Sequence, residues 1–119
     1  MEIPLVDGAD VPLPPDQVRF RNVVVEPYPD GQRIRLLVQI TPFQMRPDVE
    51  IAVIDPEGGE VGSASIIEAK DPTFTLTLHL RHIVRAGPHT VRLRLSYADA
   101  PIGDETVARF ELPASEAGV

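Results

Sequence analysis

The chain has 119 residues, enough for one domain with a single core, and its 43% hydrophobic and 24% charged residues are ordinary for a globular protein. It contains no Cys, which excludes a disulfide framework, cysteine-ligated zinc and thiol catalysis together. A formal net charge of −7 disfavours nucleic acid and anionic membrane surfaces as general partners, because binding there is largely phosphate neutralisation by Lys and Arg.

The basic residues are ten Arg and one Lys, beside 13 Pro and a single Asn, a bias that heat-adapted proteins and GC-rich genomes both produce. The opening residues 1–10 show neither a basic leader nor a long apolar run. No window approaches the roughly eighteen consecutive apolar residues of a membrane span, so a cytoplasmic protein is expected.

Residues 1–17 hold four Pro and no sustained period, and are expected as an extended arm. Ile3, Leu5, Val6, Val11 and Leu13 make the arm apolar enough to lie along its own domain or on a partner subunit. From Val18 onward, apolar and polar residues alternate as in strands that bury one face. Val18, Phe20, Asn22 and Val24 are predicted to point inward, with Arg19, Arg21, Val23 and Val25 outward. After a turn over residues 27–31, Arg33 to Ile40 points Ile34, Leu36, Val38 and Ile40 inward, and a hairpin pairing Val24 with Ile34 and Phe20 with Val38 matches the two inner rows.

The proline-bounded segment 41–48 is expected to cross to a second sheet. Val49, Ile51 and Val53 form the next inner row, ended by the turn Asp55-Pro56-Glu57-Gly58-Gly59-Glu60. A softer strand follows over 61–68, small at its start (Gly62, Ser63, Ala64, Ser65) as suits an edge. Paired with the strand 73–81, it places Val61, Ser63, Ser65 and Ile67 inward beside Phe74, Leu76, Leu78 and Leu80, and Gly62, Ala64 and Ile66 outward. Residues 81–88 make another connection. His89 to Tyr97 points Val91, Leu93, Leu95 and Tyr97 inward, the last strand buries Ala108, Phe110 and Leu112, and residues 113–119 form a frayed tail.

Seven short strands with turn signals about every ten residues, and no helical period, predict an all-β fold: a seven-stranded Greek-key β-sandwich over residues 18–112. Ile54-Asp55-Pro56-Glu57-Gly58 matches the Asp-Pro-x-Gly hairpin of bacterial immunoglobulin-like and fibronectin-type-III-like domains. Gly87-Pro88-His89-Thr90-Val91-Arg92-Leu93 is similar to their Gly-x-Tyr-x-Val-x-Val segment, with His89 in place of Tyr. The chain resembles those domains over residues 18–112, and departs from antibody domains in having neither Trp nor a Cys pair. The resemblance implies an architecture and a bias toward binding, and carries no active site.

Chemistry-bearing residues are sparse. His79 and His82 fall on opposite faces of a continued strand, short of the three or four converging ligands of a zinc site, and His89 is expected to pack where its strand begins. Ser63 and Ser65 lack a nucleophile elbow, and the carboxylates of the turns (Asp55, Glu57, Glu60, Asp99, Asp104, Glu105) are explained by turn chemistry. No phosphate loop or dinucleotide fingerprint occurs, and no cofactor or metal is expected. Arg92, Arg94 and Arg109 are expected to form cross-strand ion pairs with Glu50 and Glu111 on a wet face.

Two surfaces remain. Val23, Val25, Leu37 and Ile66 form a predicted outward apolar row, a candidate interface to be covered by the arm or by a second copy in a homodimer. Arg46, Arg81, His82 and Arg85, in the loops 41–48 and 81–88, are candidates to receive an anionic ligand. The expected function is a non-catalytic protein-binding or assembly module. The alternative is a small enzyme or anion carrier that uses those loops.

Overall fold

The structure is a computed structural model and describes residues 11–81, 86–98 and 103–112. Among the described residues, a 3₁₀ turn, Pro15–Gln17, precedes seven strands: β1 (Phe20–Pro27), β2 (Arg33–Ile40), β3 (Asp48–Ile54), β4 (Glu60–Ile66), β5 (Thr73–His79), β6 (Gly87–Ser96) and β7 (Glu105–Leu112). They form a three-stranded sheet in the order β1-β2-β5 and a four-stranded sheet in the order β4-β3-β6-β7, with every pairing antiparallel. This is the immunoglobulin-like β-sandwich that the strand pattern predicts. No helix among the described residues is long and apolar enough to cross a membrane.

The core is built from the period-two rows of the central strands. Ile34, Leu36, Val38 and Ile40 of β2 face Val49, Ile51 and Val53 of β3 and Val91, Leu93 and Leu95 of β6, all at most 2% exposed. Burying each such side chain contributes about 1.5–3 kcal/mol. Phe110 and Leu112 of β7 and Leu78 of β5 extend this core. His89 is also buried. Its ring lies 5.3 Å from that of Phe110, and Nδ1 sits 3.0 Å from the Gly87 carbonyl, which can only accept, so Nδ1 carries the proton.

Turn chemistry sets the hairpins. Asp55 Oδ1 accepts from the backbone N–H of Glu57 (2.9 Å) and Gly59 (2.8 Å), while Gly58 takes φ +90°, where a side chain would be strained. In the β1–β2 turn, Asp30 accepts from Gln32 N–H and from Arg33 Nε, whose guanidinium stacks on Tyr28 at 4.3 Å. The Gln32 N–H first, and then Arg33, holds the Asp30 carboxyl below its ordinary range.

Two strands reverse the predicted faces, each beside a bulge. In β1 the register jumps between Phe20 and Asn22, and beyond it Val23 pairs with Val38 and Val25 with Leu36. Val23 and Val25 therefore join Phe20 against the core, while Val24 and Asn22 turn outward. β4 pairs with β3 in the four-stranded sheet, not with β5 as predicted. A register shift leaves Val61 unpaired, so Gly62, Ala64 and Ile66 face Val53, Ile51 and Val49 on the inner side, and Ser63 and Ser65 point to solvent. The segment 67–72 is thus a further crossing between sheets, in addition to those on either side of it.

The described part of the N-terminal arm lies on its own domain. Leu13 donates to Pro42 O (3.0 Å), accepts from Gln44 N (2.9 Å), and packs with Phe43 against the core. Residues 1–10 of the predicted arm 1–17 and the predicted tail 113–119 lie outside the described residues.

One contact ties the two sheets at their β1/β7 rim. The Phe20 N–H, released from the ladder beside the bulge, donates to Asp104 Oδ2 at 2.9 Å, and Asp104 O accepts from Leu95 N at 2.8 Å. Replacing Asp104 by Ala leaves the part-buried Phe20 N–H unpaired, and is expected to cost about 1.5–3 kcal/mol in urea unfolding, with Asp104→Asn restoring part of it.

Tyr97 supplies a second test. It is buried, its hydroxyl has no hydrogen-bond partner among the described residues, and burial pushes the phenol pKa above its ordinary 10.0. The neutral phenol's contribution is full below about pH 10 and is lost as pH rises through the folded-state value, because the unfolded chain releases the proton first. Tyr97→Phe is expected to flatten that alkaline loss of stability, while changing stability at neutral pH by less than about 1 kcal/mol. Denaturant midpoints measured across the alkaline range check both statements.

Candidate functional site

With the inner rows committed to the core, chemistry is left to the outer faces and the loops. The outer face of the four-stranded sheet holds a shallow concavity of about 700 Å³. Two cross-strand rows build it. Ser65, Glu50, Arg94 and Glu105 lie in one, and Ser63, Ala52, Arg92 and Val107 in the next. Small side chains at Ala52 and Ser63 set the low floor, and the Arg and Glu side chains raise its sides.

Ser65 Oγ donates to Glu50 Oε1 at 3.1 Å, which holds that carboxylate against β4. The ion pairs between described residues are Arg33–Asp30 and Arg81–Glu60, so Arg92 and Arg94 pair with no described carboxylate. This corrects the expected network of ion pairs. Register explains part of it, since Arg92 stands between Ala52 and Val107, Arg109 stands opposite Thr90, and Glu111 stands opposite Pro88. Arg94 does lie between Glu50 and Glu105, but neither carboxylate closes on it. The result is two guanidinium groups on one face, each with donors to offer a planar acceptor.

Of the predicted anion site, the two described members, Arg46 and Arg81, are not brought together. Arg46 lies exposed at the end of the sandwich where Asp48 pairs with Ser96. Arg81 lies at the other end, where Ile54 pairs with Thr90. Because β3 runs between them, Arg46 and Arg81 are about 20 Å apart at a strand rise of about 3.3 Å per residue. Arg81 is also engaged, since its guanidinium reaches Glu60 Oε2 at 3.1 Å and its N–H donates to Val61 O at 2.7 Å. His82 and Arg85 lie outside the described residues.

The predicted apolar row dissolves in the same way. Val23, Val25 and Ile66 pack inward against the core, leaving only Leu37 of the four on the outer face, with Val24 across the ladder. Among the described residues, no group of three or more His, Cys, Asp or Glu is disposed to hold a metal ion. His79 stands exposed at the end of β5, and His89 is enclosed.

No protein-family model matches this chain, and no curated protein matches it. Solved structures do. An FMN-binding β-glucuronidase from Facaelibacterium prausnitzii is 21% identical at a TM-score of 0.57, over 79% of this chain and 16% of that one. A glycosyl hydrolase family 2 member from Bacteroides cellulosilyticus is 12% identical at a TM-score of 0.58, over 80% of this chain and 15% of that one. The chitinase ChiW from Paenibacillus is 12% identical at a TM-score of 0.56, over 90% of this chain and 9% of that one. The chain spans less than a fifth of the length of these proteins, and at such identities the likeness is one of fold: an immunoglobulin-like β-sandwich of the kind that bacterial glycosidases contain.

Proposed function

We propose that this chain is a non-catalytic binding or assembly module that docks a carboxylate-bearing partner on the outer face of its four-stranded sheet. The observation that carries this reading is the pair Arg92 and Arg94, set two residues apart on β6 over a small-residue floor, with no described carboxylate closing on either. Guanidinium groups left without a partner on a concave face favour planar anionic acceptors. The fold matches support an ancillary role, because the matched regions make up a small share of much larger glycosidase chains. The alternative of an anion carrier built from both loops is the less favoured reading, since Arg46 and Arg81 stand apart by the length of β3.

Three measurements test the reading. Incubation with chromogenic glycosides, including a glucuronide and an N-acetylglucosaminide, is expected to give no turnover above buffer, and turnover that purifies with the chain would refute it. The double variant Arg92→Ala/Arg94→Ala is expected to change unfolding free energy by less than about 0.5 kcal/mol, since no ion pair is lost. In an NMR titration with D-glucuronate and with a short poly-glutamate peptide, shifts are expected to cluster on β3 and β6 and to vanish in that variant. Shifts that persist in it, or that fall elsewhere, count against the assigned face.

A further inference from the structure

The two sheets meet at two rims, and the rims differ. At the β1/β7 rim the edges are guarded: β1 is bulged at Arg21 and ends in Glu26-Pro27, β7 carries Glu105, Arg109 and Glu111, and Asp104 takes up the Phe20 N–H. At the β4/β5 rim, β4 is bulged at Val61, but β5 has no such device. Its sequence, Thr73-Phe74-Thr75-Leu76-Thr77-Leu78-His79, contains no Pro and no Asp, Glu, Lys or Arg, and its register against β2 runs without a bulge.

The hydrogen-bond phase of β5 follows from its two ends. Ile40 N donates to Pro72 O, and Leu80 N donates to Gln32 O, so the even-numbered residues of β5 bond to β2. The N–H and C=O groups of Thr73, Thr75, Thr77 and His79 therefore point away from the sheet, and no described residue pairs with those of the three Thr. Near His79 the rim is shut by Arg81 N donating to Val61 O, with Gly62 lying against Leu80. Between that point and the 67–72 crossing it stands open. There the inward-facing Ala64, Ile66, Phe74 and Leu76 are only partly buried, and Ile67 beside them is 68% exposed.

We propose that β5 is a strand-pairing edge whose occupant is a second copy of this chain, antiparallel across a two-fold axis at Thr75. In that register Thr75 faces Thr75, Thr73 faces Thr77, and Phe74 faces Leu76, so the outward backbone groups of the three Thr close on both copies. The pairs are Thr–Thr on the wet face and aromatic–aliphatic on the inner face, combinations that stabilise sheets. The strand suits its own copy electrostatically. Each chain carries a net charge of −7, yet no charged residue of β5 meets its like, and the next position in register sets the exposed carboxylate of Asp71 opposite the exposed imidazole of His79. A two-fold axis closes the assembly, and the open seam of Phe74, Leu76 and Ile66 is covered in the same step. This edge is distinct from the Arg92/Arg94 face, so either assignment can fail alone.

Sedimentation velocity and hydrogen exchange of the full chain, from low to high micromolar concentration, test the proposal. The intact chain is expected to pass from monomer to dimer, with the amides of Thr73, Thr75 and Thr77 gaining protection as it does. Thr75→Lys adds the charge that guards natural edges, and Thr75→Pro removes only the outward donor, which an edge strand tolerates. Each is expected to weaken dimerisation at least tenfold while keeping the folded far-UV spectrum, and Thr75→Lys together with the exchange data decides the matter if Thr75→Pro fails to fold. The proposal is overturned by a monomer at high micromolar concentration, by a dimer that folded Thr75→Lys leaves intact, or by protection of the three amides in a monomer, which would mean that another segment of the same chain occupies the edge.

Discussion

The structure depends on sealing the β2 row. Ile34, Leu36, Val38 and Ile40 project from one side of the three-stranded sheet, and only the rows of β3 and β6 can take them out of water. Every other feature is an accommodation to that closure. The crossings at 41–47, at 67–72 and after β5 carry the chain from one layer to the other, the bulges in β1 and β4 twist the rims around the core, and the polar residues are displaced to outer faces and turns. Of the buried exceptions, His89 sits on β6, an interior strand with neighbours on both edges, and Tyr97 lies just past its end. His89 keeps its place by bonding to a carbonyl two residues behind it and by stacking on Phe110. Tyr97 is buried with its hydroxyl unmatched among the described residues.

What the sequence made legible was whatever an uninterrupted period of two can carry. β2, β3, β5, β6 and β7 were readable because their alternation runs unbroken, and the inner rows follow residue by residue. The faces of β1 and β4 were not readable, because one extra residue in a strand exchanges the two sides, and nothing in Phe20-Arg21-Asn22 or Glu60-Val61-Gly62 announces it. For β4 a signal did exist. Asp55 to Gly59 is a tight hairpin turn, and a hairpin joins strands that pair with each other. Giving that turn precedence would have placed β4 beside β3 and turned Ser63 and Ser65 outward.

The candidate sites follow the same logic. The apolar row of Val23, Val25, Leu37 and Ile66 was an artefact of two exchanged faces, and the Arg loops were grouped by composition without a topology to say which end each occupies. Arg92 and Arg94 were correctly placed on an outer face, since β6 alternates without a break. The missing ion pair of Arg92 was not readable, because it depends on which residues lie opposite: Ala52 and Val107 are there by register, and register is a property of the sheet and not of any one strand.

The contact between Asp104 and Phe20 has a mechanical side. It places the start of β1 beside the start of β7, so that the sandwich is entered at Phe20 at one end and left at Leu112 at the other. Tension applied through those two points runs along the strand axes. It loads the β1–β2 and β6–β7 ladders in shear, where the rungs share the force at once, instead of opening them one by one from a free end. A sandwich threaded in this way meets a pull along its length with whole ladders and not with single rungs.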